Sequence, residues 1–209
     1  MKPEAVIFDL GKVLLDFDYG ITARHLAEHC NVSAQGIVDT IDQTHLLLDY
    51  EEGKISTDEF YAKVCEQTGY RGEFETFRDA FADIFSEIPE MVNLQRRLKE
   101  AGVPCYIFSN TNEVAIHHVK RNFPFFGGFD GYVYSYLEKS MKPDAPIYGA
   151  VERETGKSGA ALIYLDDKAE NIAAGAARGW QTIHHVNPQT SVAGIEGAGL
   201  LQQEPLRQY

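Results

Sequence analysis

The apolar positions near the N-terminus form an unbroken run and not an alternating pattern. Ala5–Phe8 contains no polar residue and is followed at once by Asp9. A short continuous apolar run of this kind is typical of a strand buried on both faces, as in a parallel sheet. Ligands of parallel sheets bind beyond the carboxyl ends of the strands, so Asp9 is a candidate for chemistry. The alternative is that Asp9 caps a following helical turn.

Helical periodicity replaces strand patterns between about Ile21 and Glu87. Apolar residues recur there at spacings of three and four, and Ser56 with Glu59 forms a capping box. The predicted helices are Ile21–Cys30, a segment that begins after Ser33, a segment from Ser56 to Gly69, and Glu73–Phe85. About four helices are enough for a small all-α bundle. Val13–Gly20, which precedes them, predicts a short hairpin or turn, because it leaves no room for a parallel crossover.

From Pro89 onwards, strands and helices alternate. The predicted strands are Cys105–Phe108, Tyr132–Tyr134, Leu162–Leu165 and Gln181–Val186, and the predicted helices are Glu90–Glu100, Glu113–Asn122, Asp144–Thr155 and Lys168–Arg178. This rhythm predicts an α/β fold with a doubly wound, mostly parallel, Rossmann-like sheet. We predict that residues 1–16 and 88–209 form this core and that residues 17–87 are a helical insertion. The polar tail Gln202–Tyr209 is predicted to fray.

Composition narrows the classes of partner. The chain has 209 residues, of which 44% are hydrophobic and 24% charged, as expected of a globular protein. The net charge of −12 argues against a nucleic-acid partner, which usually requires a basic patch. No apolar run has the length to span a membrane, and the N-terminus lacks the pattern of a signal peptide. The three cysteines do not form a CxxC pair. We therefore expect a cytoplasmic protein with reduced thiols.

Three later segments place polar residues just after predicted strands. Ser109 and Asn110 follow the second core strand and precede a helix, an arrangement that suits a phosphate or other oxyanion. Lys142 lies before Pro143, in the loop beyond the third strand. Asp166 and Asp167 end the fourth strand. Adjacent carboxylates repel each other, so such a pair near Asp9 indicates a cation, and oxygen ligands suit Mg²⁺.

These segments resemble the motifs of the haloacid dehalogenase-like hydrolase superfamily. The resemblance rests on four stretches in the family's order, and it extends over the whole chain. They are Phe8-Asp9-Leu10-Gly11, Phe108-Ser109-Asn110, Met141-Lys142-Pro143-Asp144, and Leu165-Asp166-Asp167 with Asn171. The helical insertion matches the family's cap. Within the superfamily, the chain is most similar to sugar-phosphate phosphatases of the glucose-1-phosphatase type and to the phosphatase domain of soluble epoxide hydrolases.

The resemblance implies a Mg²⁺-dependent phosphatase that acts on a small phosphorylated metabolite, such as a sugar phosphate. It implies that Asp9 is the nucleophile and forms an aspartyl-phosphate, and that Lys142 neutralises the charge on Asp9 and the phosphate. Ser109 and the backbone N–H of Asn110 would hold the phosphoryl oxygens together with Lys142. The implied metal ligands are Asp9, the backbone carbonyl of Gly11, Asp167 and, directly or through water, Asp166. The oligomeric state cannot be read from the sequence.

Gly11 departs from the family pattern, because members of the family usually carry a second acid at this position. That acid protonates the leaving group and later activates water, a contribution of roughly a hundred- to ten-thousand-fold. Asp16, Asp18 or a residue of the cap are candidates to replace it. Two alternatives follow from the departure. The chain is a phosphate-binding regulatory protein of little or no activity, or it is a 2-haloacid dehalogenase, a class that also lacks the second acid.

Overall fold

The computed structural model describes residues 1–202 of the chain. The described strands are β1 (Ala5–Phe8), β2 (Leu15–Phe17), β3 (Phe85–Glu87), β4 (Cys105–Ser109), β5 (Gly131–Tyr134), β6 (Leu162–Asp166) and β7 (Gln181–His184). The helices are α1 (Tyr19–Leu26), α2 (Ala34–Ile41), α3 (His45–Glu51), α4 (Thr57–Thr68), α5 (Phe74–Ala82), α6 (Pro89–Glu100), α7 (Glu113–Asn122), α8 (Ser135–Glu138), α9 (Ala145–Thr155), α10 (Ala169–Ala177) and α11 (Pro188–Gly197). Of the predicted frayed tail, all but Gln202 lies outside these residues.

Five strands form a parallel sheet in the order β5-β4-β1-β6-β7. The chain runs outward from β1 through β4 to β5 and then returns to the other side of β1 for β6 and β7. Ligand crevices of open α/β sheets form where the strand order reverses in this way. The predicted fold class, a doubly wound parallel sheet with a helical insertion, is confirmed.

Both faces of the sheet are covered, which explains the unbroken apolar run of β1. Val6 and Phe8 face a cluster that includes Met91 of α6 and Val119 of α7. Their neighbours in sequence face a second cluster, on the side where α9 packs. All four residues of β1 are completely buried, so a polar side chain anywhere within the strand would lose its contact with water. Asp9 is therefore the first position at which this strand can carry a charge.

Helices α1–α5 pack around an aromatic core of their own. The rings of Tyr50 and Phe60 are stacked with centroids 4.5 Å apart, and those of Phe77 and Phe81 with centroids 5.8 Å apart. The predicted capping box is present, because Ser56 and Glu59 exchange hydrogen bonds at the start of α4. Helix α3 was not predicted. The boundaries at residues 16/17 and 87/88 stay a prediction.

The chain enters and leaves this helical segment through two short antiparallel strands. In the β2–β3 ribbon, Leu15 lies opposite Glu87 and Phe17 opposite Phe85. The prediction of a local hairpin at Val13–Gly20 is therefore wrong. The strand β2 does form there, but it pairs with β3, which is distant in sequence. Helix α5 accordingly ends at Ala82, before Phe85. None of the helices within residues 1–202 combines the length and the hydropathy that crossing a bilayer requires.

Candidate active site

The carboxyl ends of the central strands bring Asp9, Ser109 and the Asp166–Asp167 pair to one edge of the sheet. Phe8 of β1 lies beside Leu165 of β6, so the next residues, Asp9 and Asp166, are neighbours. The Asp9 backbone N–H donates a hydrogen bond to the Leu165 carbonyl at 2.9 Å, which extends the strand pairing by one residue. Parallel pairing in this register is what brings acids from distant parts of the chain together.

Lys142 joins this edge from the loop between α8 and α9. Its Nζ lies 2.8 Å from Asp9 Oδ1 and 2.7 Å from Asp166 Oδ2, and it donates a hydrogen bond to the Phe108 carbonyl at 3.1 Å. Burial alone would lower the pKa of Lys142, but the two carboxylates raise it above its usual range. The ammonium therefore stays charged and couples Asp9 to Asp166.

Asp166 is fully buried, and both of its carboxylate oxygens are hydrogen bonded. Besides Lys142, the donors are the Tyr164 hydroxyl, the Lys168 backbone N–H at 2.8 Å and Asn171 Nδ2 at 3.0 and 3.1 Å. Burial alone would raise the pKa of Asp166, but Lys142 and the other donors hold it below its usual range. Asp166 is thus an anion fixed in place, and Asp167 is the more exposed member of the pair.

Among residues 1–202, Asp9, Asp166 and Asp167 are the one group of three or more acidic, histidine or cysteine side chains placed so that they could hold a metal ion. Each offers a carboxylate oxygen, and these oxygens lie within 4.8 Å of one another. Burial, together with the negative charges of Asp166 and Asp167, raises the pKa of Asp9 to about 8, although Lys142 opposes the shift. One ammonium does not balance three carboxylates. The donor set therefore fits a divalent cation that prefers oxygen ligands, as Mg²⁺ does.

Ser109 and Asn110 lie where β4 ends, but the two side chains differ in what they contact. Ser109 is buried, and its hydroxyl donates to the Asn110 carbonyl at 3.2 Å. The Asn110 side chain binds the backbone of Lys142 on both sides. Its Oδ1 accepts from the Lys142 N–H at 2.8 Å, and its Nδ2 donates to the Lys142 carbonyl at 3.0 Å. This pair of bonds holds the lysine loop against β4, a contact that the sequence did not predict.

All of the predicted site residues except Asp166 line one cavity of about 200 Å³. The sheet supplies Asp9, Ser109 and Asp167 to its wall. The helical segment, chiefly α3, and the β2–β3 ribbon form a second wall. Its residues are Phe17, Tyr19, Gln43, Leu47, Leu48, Glu51 and Phe85. The sequence did not single out any of these seven, because each reaches the cavity through the packing of the helices and the pairing of the ribbon.

A model of the haloacid dehalogenase-like hydrolase family matches residues 3–179 of this chain. The chain belongs to the haloacid dehalogenase-like hydrolase family. The sesquiterpene phosphatase astK of Aspergillus oryzae is 31% identical over 183 residues, which are 87% of this chain and 89% of that protein. The D-ribitol-5-phosphate phosphatase of Bacteroides thetaiotaomicron is 24% identical over 189 residues, or 87% and 91% of the two chains.

The fold is also found in a solved haloacid dehalogenase family enzyme from B. thetaiotaomicron, crystallised with magnesium and inorganic phosphate. That structure is 23% identical, covers 86% of this chain and 92% of its own, and superimposes with a TM-score of 0.75. At this identity the likeness establishes the fold. The prediction that the chain is a member of the superfamily is confirmed.

In this haloacid dehalogenase-like hydrolase, the space beside Gly11 is occupied by an aromatic ring. A Cβ atom added to Gly11 would lie 3.0 Å from Cε1 of Phe17. Lys12 Nζ lies 4.4 Å from the centre of the same ring and donates to the Phe17 carbonyl at 2.9 Å. The chain therefore lacks the second acid, and a side chain at that position would require the Phe17 ring to shift.

Asp16 and Asp18, which the sequence suggested as replacements for the missing second acid, do not line the cavity. Asp16 is exposed and forms an ion pair with Lys12. Asp18 caps α1 by accepting a hydrogen bond from the Gly20 N–H at 2.7 Å, and it lies 3.6 Å from Arg24. Both carboxylates have local structural partners. The remaining candidates for the missing acid are the other residues of the segment 17–87.

Proposed function

We propose that this chain is a Mg²⁺-dependent phosphatase that hydrolyses a small phosphorylated metabolite through an aspartyl-phosphate on Asp9. The observation that carries the proposal is the Lys142 ammonium, which lies within 2.8 Å of both Asp9 and Asp166 at the floor of a cavity. Family membership adds weight, as does the activity named for the two relatives, both of which are phosphatases.

In the proposed reaction, Asp9 Oδ attacks phosphorus and the bond from phosphorus to the ester oxygen breaks. The alcohol oxygen gains a proton as it leaves. Water then attacks the aspartyl-phosphate, loses a proton, and releases inorganic phosphate with Asp9 restored. Phosphoryl transfer depends mainly on positioning and on charge stabilisation. Lys142 supplies one positive charge next to Asp9, and it stays protonated because two carboxylates face it.

The remaining roles follow the motifs. Ser109 Oγ and the Asn110 N–H would bind the phosphoryl oxygens with Lys142, while the Asn110 side chain holds the Lys142 backbone. Asp9, Asp167 and the Gly11 carbonyl would hold Mg²⁺. Asp166 would act behind them, because its oxygens are already engaged by Lys142, Tyr164, Lys168 and Asn171. When bound, Mg²⁺ supplies the positive charge that three carboxylates and a phosphate require.

We propose that residues 17–87 act as a cap that selects the substrate. Residues of this segment form one wall of the cavity, opposite the polar edge of the sheet. That wall mixes apolar side chains, such as Leu47 and Leu48, with the polar Gln43 and Glu51. The named substrates of the relatives are likewise diverse, a sesquiterpene phosphate and a polyol phosphate. A sugar phosphate stays our proposed substrate class, and apolar phosphate esters belong in the same screen.

Gly11 favours one alternative, a phosphate-binding protein with little turnover, because the usual acid is absent there and the ring of Phe17 crowds the position. A 2-haloacid dehalogenase also fits the missing acid. The acidic cluster argues against that reaction, because three carboxylates near a single lysine favour a cation.

The test is phosphate release from sugar, polyol and isoprenoid phosphates, with Mg²⁺ and with EDTA. We expect turnover that requires Mg²⁺ and is abolished in Asp9→Asn. Asp16→Asn is the matched control, since Asp16 is an exposed acid outside the cavity. Phosphate binding without turnover on any substrate would favour the regulatory alternative. Halide release from 2-haloacids without metal would favour the dehalogenase.

A further inference from the structure

Among the described residues, three carboxyl groups line the cavity, those of Asp9, Asp167 and Glu51. The proposed function uses the first two as nucleophile and cation ligand. Glu51 belongs to the cap and has no assigned role. It is the last residue of α3, the helix that the sequence did not reveal. Its presence matters because the family's usual second acid is replaced by Gly11.

Glu51 is tied to the edge of the sheet through its backbone. The Ser135 hydroxyl donates a hydrogen bond to the Glu51 carbonyl at 2.5 Å and accepts one from the Thr111 N–H at 2.9 Å. Ser135 is completely buried, so these bonds are shielded from water. Thr111 is two residues beyond Ser109, in the loop proposed to hold the phosphoryl group. The position of Glu51 relative to that loop is therefore fixed by a buried bridge.

The Glu51 carboxylate itself has no hydrogen bond or ion pair within residues 1–202. Its neighbour Glu52 behaves differently, since its carboxylate lies 2.7 Å from Lys54 Nζ. A partly buried carboxyl group without a hydrogen-bond or ion-pair partner costs free energy. No structural contact of the Glu51 carboxylate in the described part of the chain offsets this cost. It is free to meet a substrate.

We propose that Glu51 is the general acid and base of the reaction, and that it replaces from the cap the acid missing at Gly11. This inference rests on the proposed phosphatase function. In the first step the Glu51 carboxylic acid gives its proton to the leaving alcohol oxygen and becomes a carboxylate. In the second step that carboxylate takes a proton from the water that attacks the aspartyl-phosphate. One proton is given and one is regained, so Glu51 returns to its starting state.

The electrostatic surroundings of Glu51 suit both steps. Burial raises its pKa to about 7, with a further contribution from Asp42, while the positive charges of Lys168 and Lys142 oppose the shift. The phenol of Tyr19 faces the same group, and its own pKa is raised by burial and by Glu51. A carboxyl group with a pKa near the working pH can act as an acid and then as a base.

The experiment compares Glu51→Gln with Glu52→Gln on alkyl phosphates and on p-nitrophenyl phosphate. General acid–base help is worth roughly a hundred- to ten-thousand-fold. We expect Glu51→Gln to lower kcat/KM on alkyl phosphates by about a hundredfold or more. The loss of kcat/KM should be much smaller on the nitrophenyl ester, whose leaving group needs no proton, whereas kcat should fall on both esters because they share the hydrolysis of the aspartyl-phosphate. The pH profile of kcat/KM for the parent protein should show an ionisation near pH 7 that Glu51→Gln lacks, and Glu51→Asp should recover part of the rate.

Three results separate the possible failures. Equal losses of kcat/KM on both esters, with an unchanged pH profile, would assign Glu51 a structural role and overturn the proposal. Full activity of Glu51→Gln on alkyl phosphates would also overturn it. If Asp9→Asn retains the parent's activity, the proposed function itself fails, and Glu51 fails with it. Glu52→Gln should match the parent in every measurement. Circular dichroism and thermal melting confirm that each variant is folded.

Discussion

Replacing Gly11 with alanine tests whether the Phe17 ring fills the space beside that position. The new Cβ would lie 3.0 Å from Cε1 and 3.5 Å from Cδ1 of the ring. The first contact is short enough that the ring or the loop must shift by a few tenths of an ångström, and overpacking typically costs about 1–3 kcal/mol. The backbone of Gly11 is outside the left-handed region, so alanine also restricts the unfolded chain, which offsets about 0.4–1 kcal/mol. We expect a net loss of about 1–2 kcal/mol.

The cause is isolated by a double-mutant cycle with Phe17→Ala. Removing the ring costs stability by itself, but it should make Gly11→Ala neutral or slightly stabilising, which is a coupling energy of about 1–2 kcal/mol. Unfolding is followed by thermal melting in EDTA, where 1 kcal/mol corresponds to about 2–4 °C for a chain of this length. Gly197→Ala is the matched control, because a Cβ there meets no atom within 4 Å. Additive effects of the two substitutions, within about 0.5 kcal/mol, would refute the steric argument.

Three further predictions concern the buried charges and the bridge to the cap. In EDTA, stability should fall as pH rises from about 4 to about 8, because Asp9, whose pKa is about 8 in the folded chain, binds more protons in the folded than in the unfolded state over this range. Mg²⁺ or Asp9→Asn should make the melting temperature depend less steeply on pH, with Glu51 contributing a remaining slope of the same sign. Lys142→Met should abolish activity and lower the free energy of unfolding by about 3–5 kcal/mol, because it leaves the buried Asp9 and Asp166 without the lysine ammonium. Denaturant titrations should show that Mg²⁺ restores part of this stability. Ser135→Ala should cost about 1–3 kcal/mol by leaving the Glu51 carbonyl without its donor, and unchanged stability would contradict the bridge.

The acids at the sheet edge could be predicted because each follows a strand with a strong local signal. Asp9 and Asp166 come directly after unbroken apolar runs, and parallel pairing places the ends of such strands side by side. Lys142 was identified by its motif, and its contacts with both acids came only from the structure. The sheet was predictable for the same reason, since strands and helices alternate at regular spacing from Pro89 onwards.

The features that the sequence did not reveal depend on packing between distant segments. Helix α3 spans only His45–Glu51, and its run of three leucines does not follow a clear helical period. Helix α11 is rich in glycine and small residues and has little amphipathic pattern. The place of Phe17 over Gly11 follows from the pairing of β2 with β3, which no local signal indicates. Glu51 was missed because it belongs to α3, which the sequence did not predict.

The β2–β3 ribbon has a mechanical consequence for the whole molecule. The bundle of α1–α5 is joined covalently to the sheet only by these two adjacent strands, so any displacement of the bundle relative to the sheet must bend the chain at the ribbon. Phe17 and Phe85 lie opposite each other on the ribbon and also line the cavity. Such a displacement would therefore also change the shape of the cavity, because the ribbon forms part of its wall.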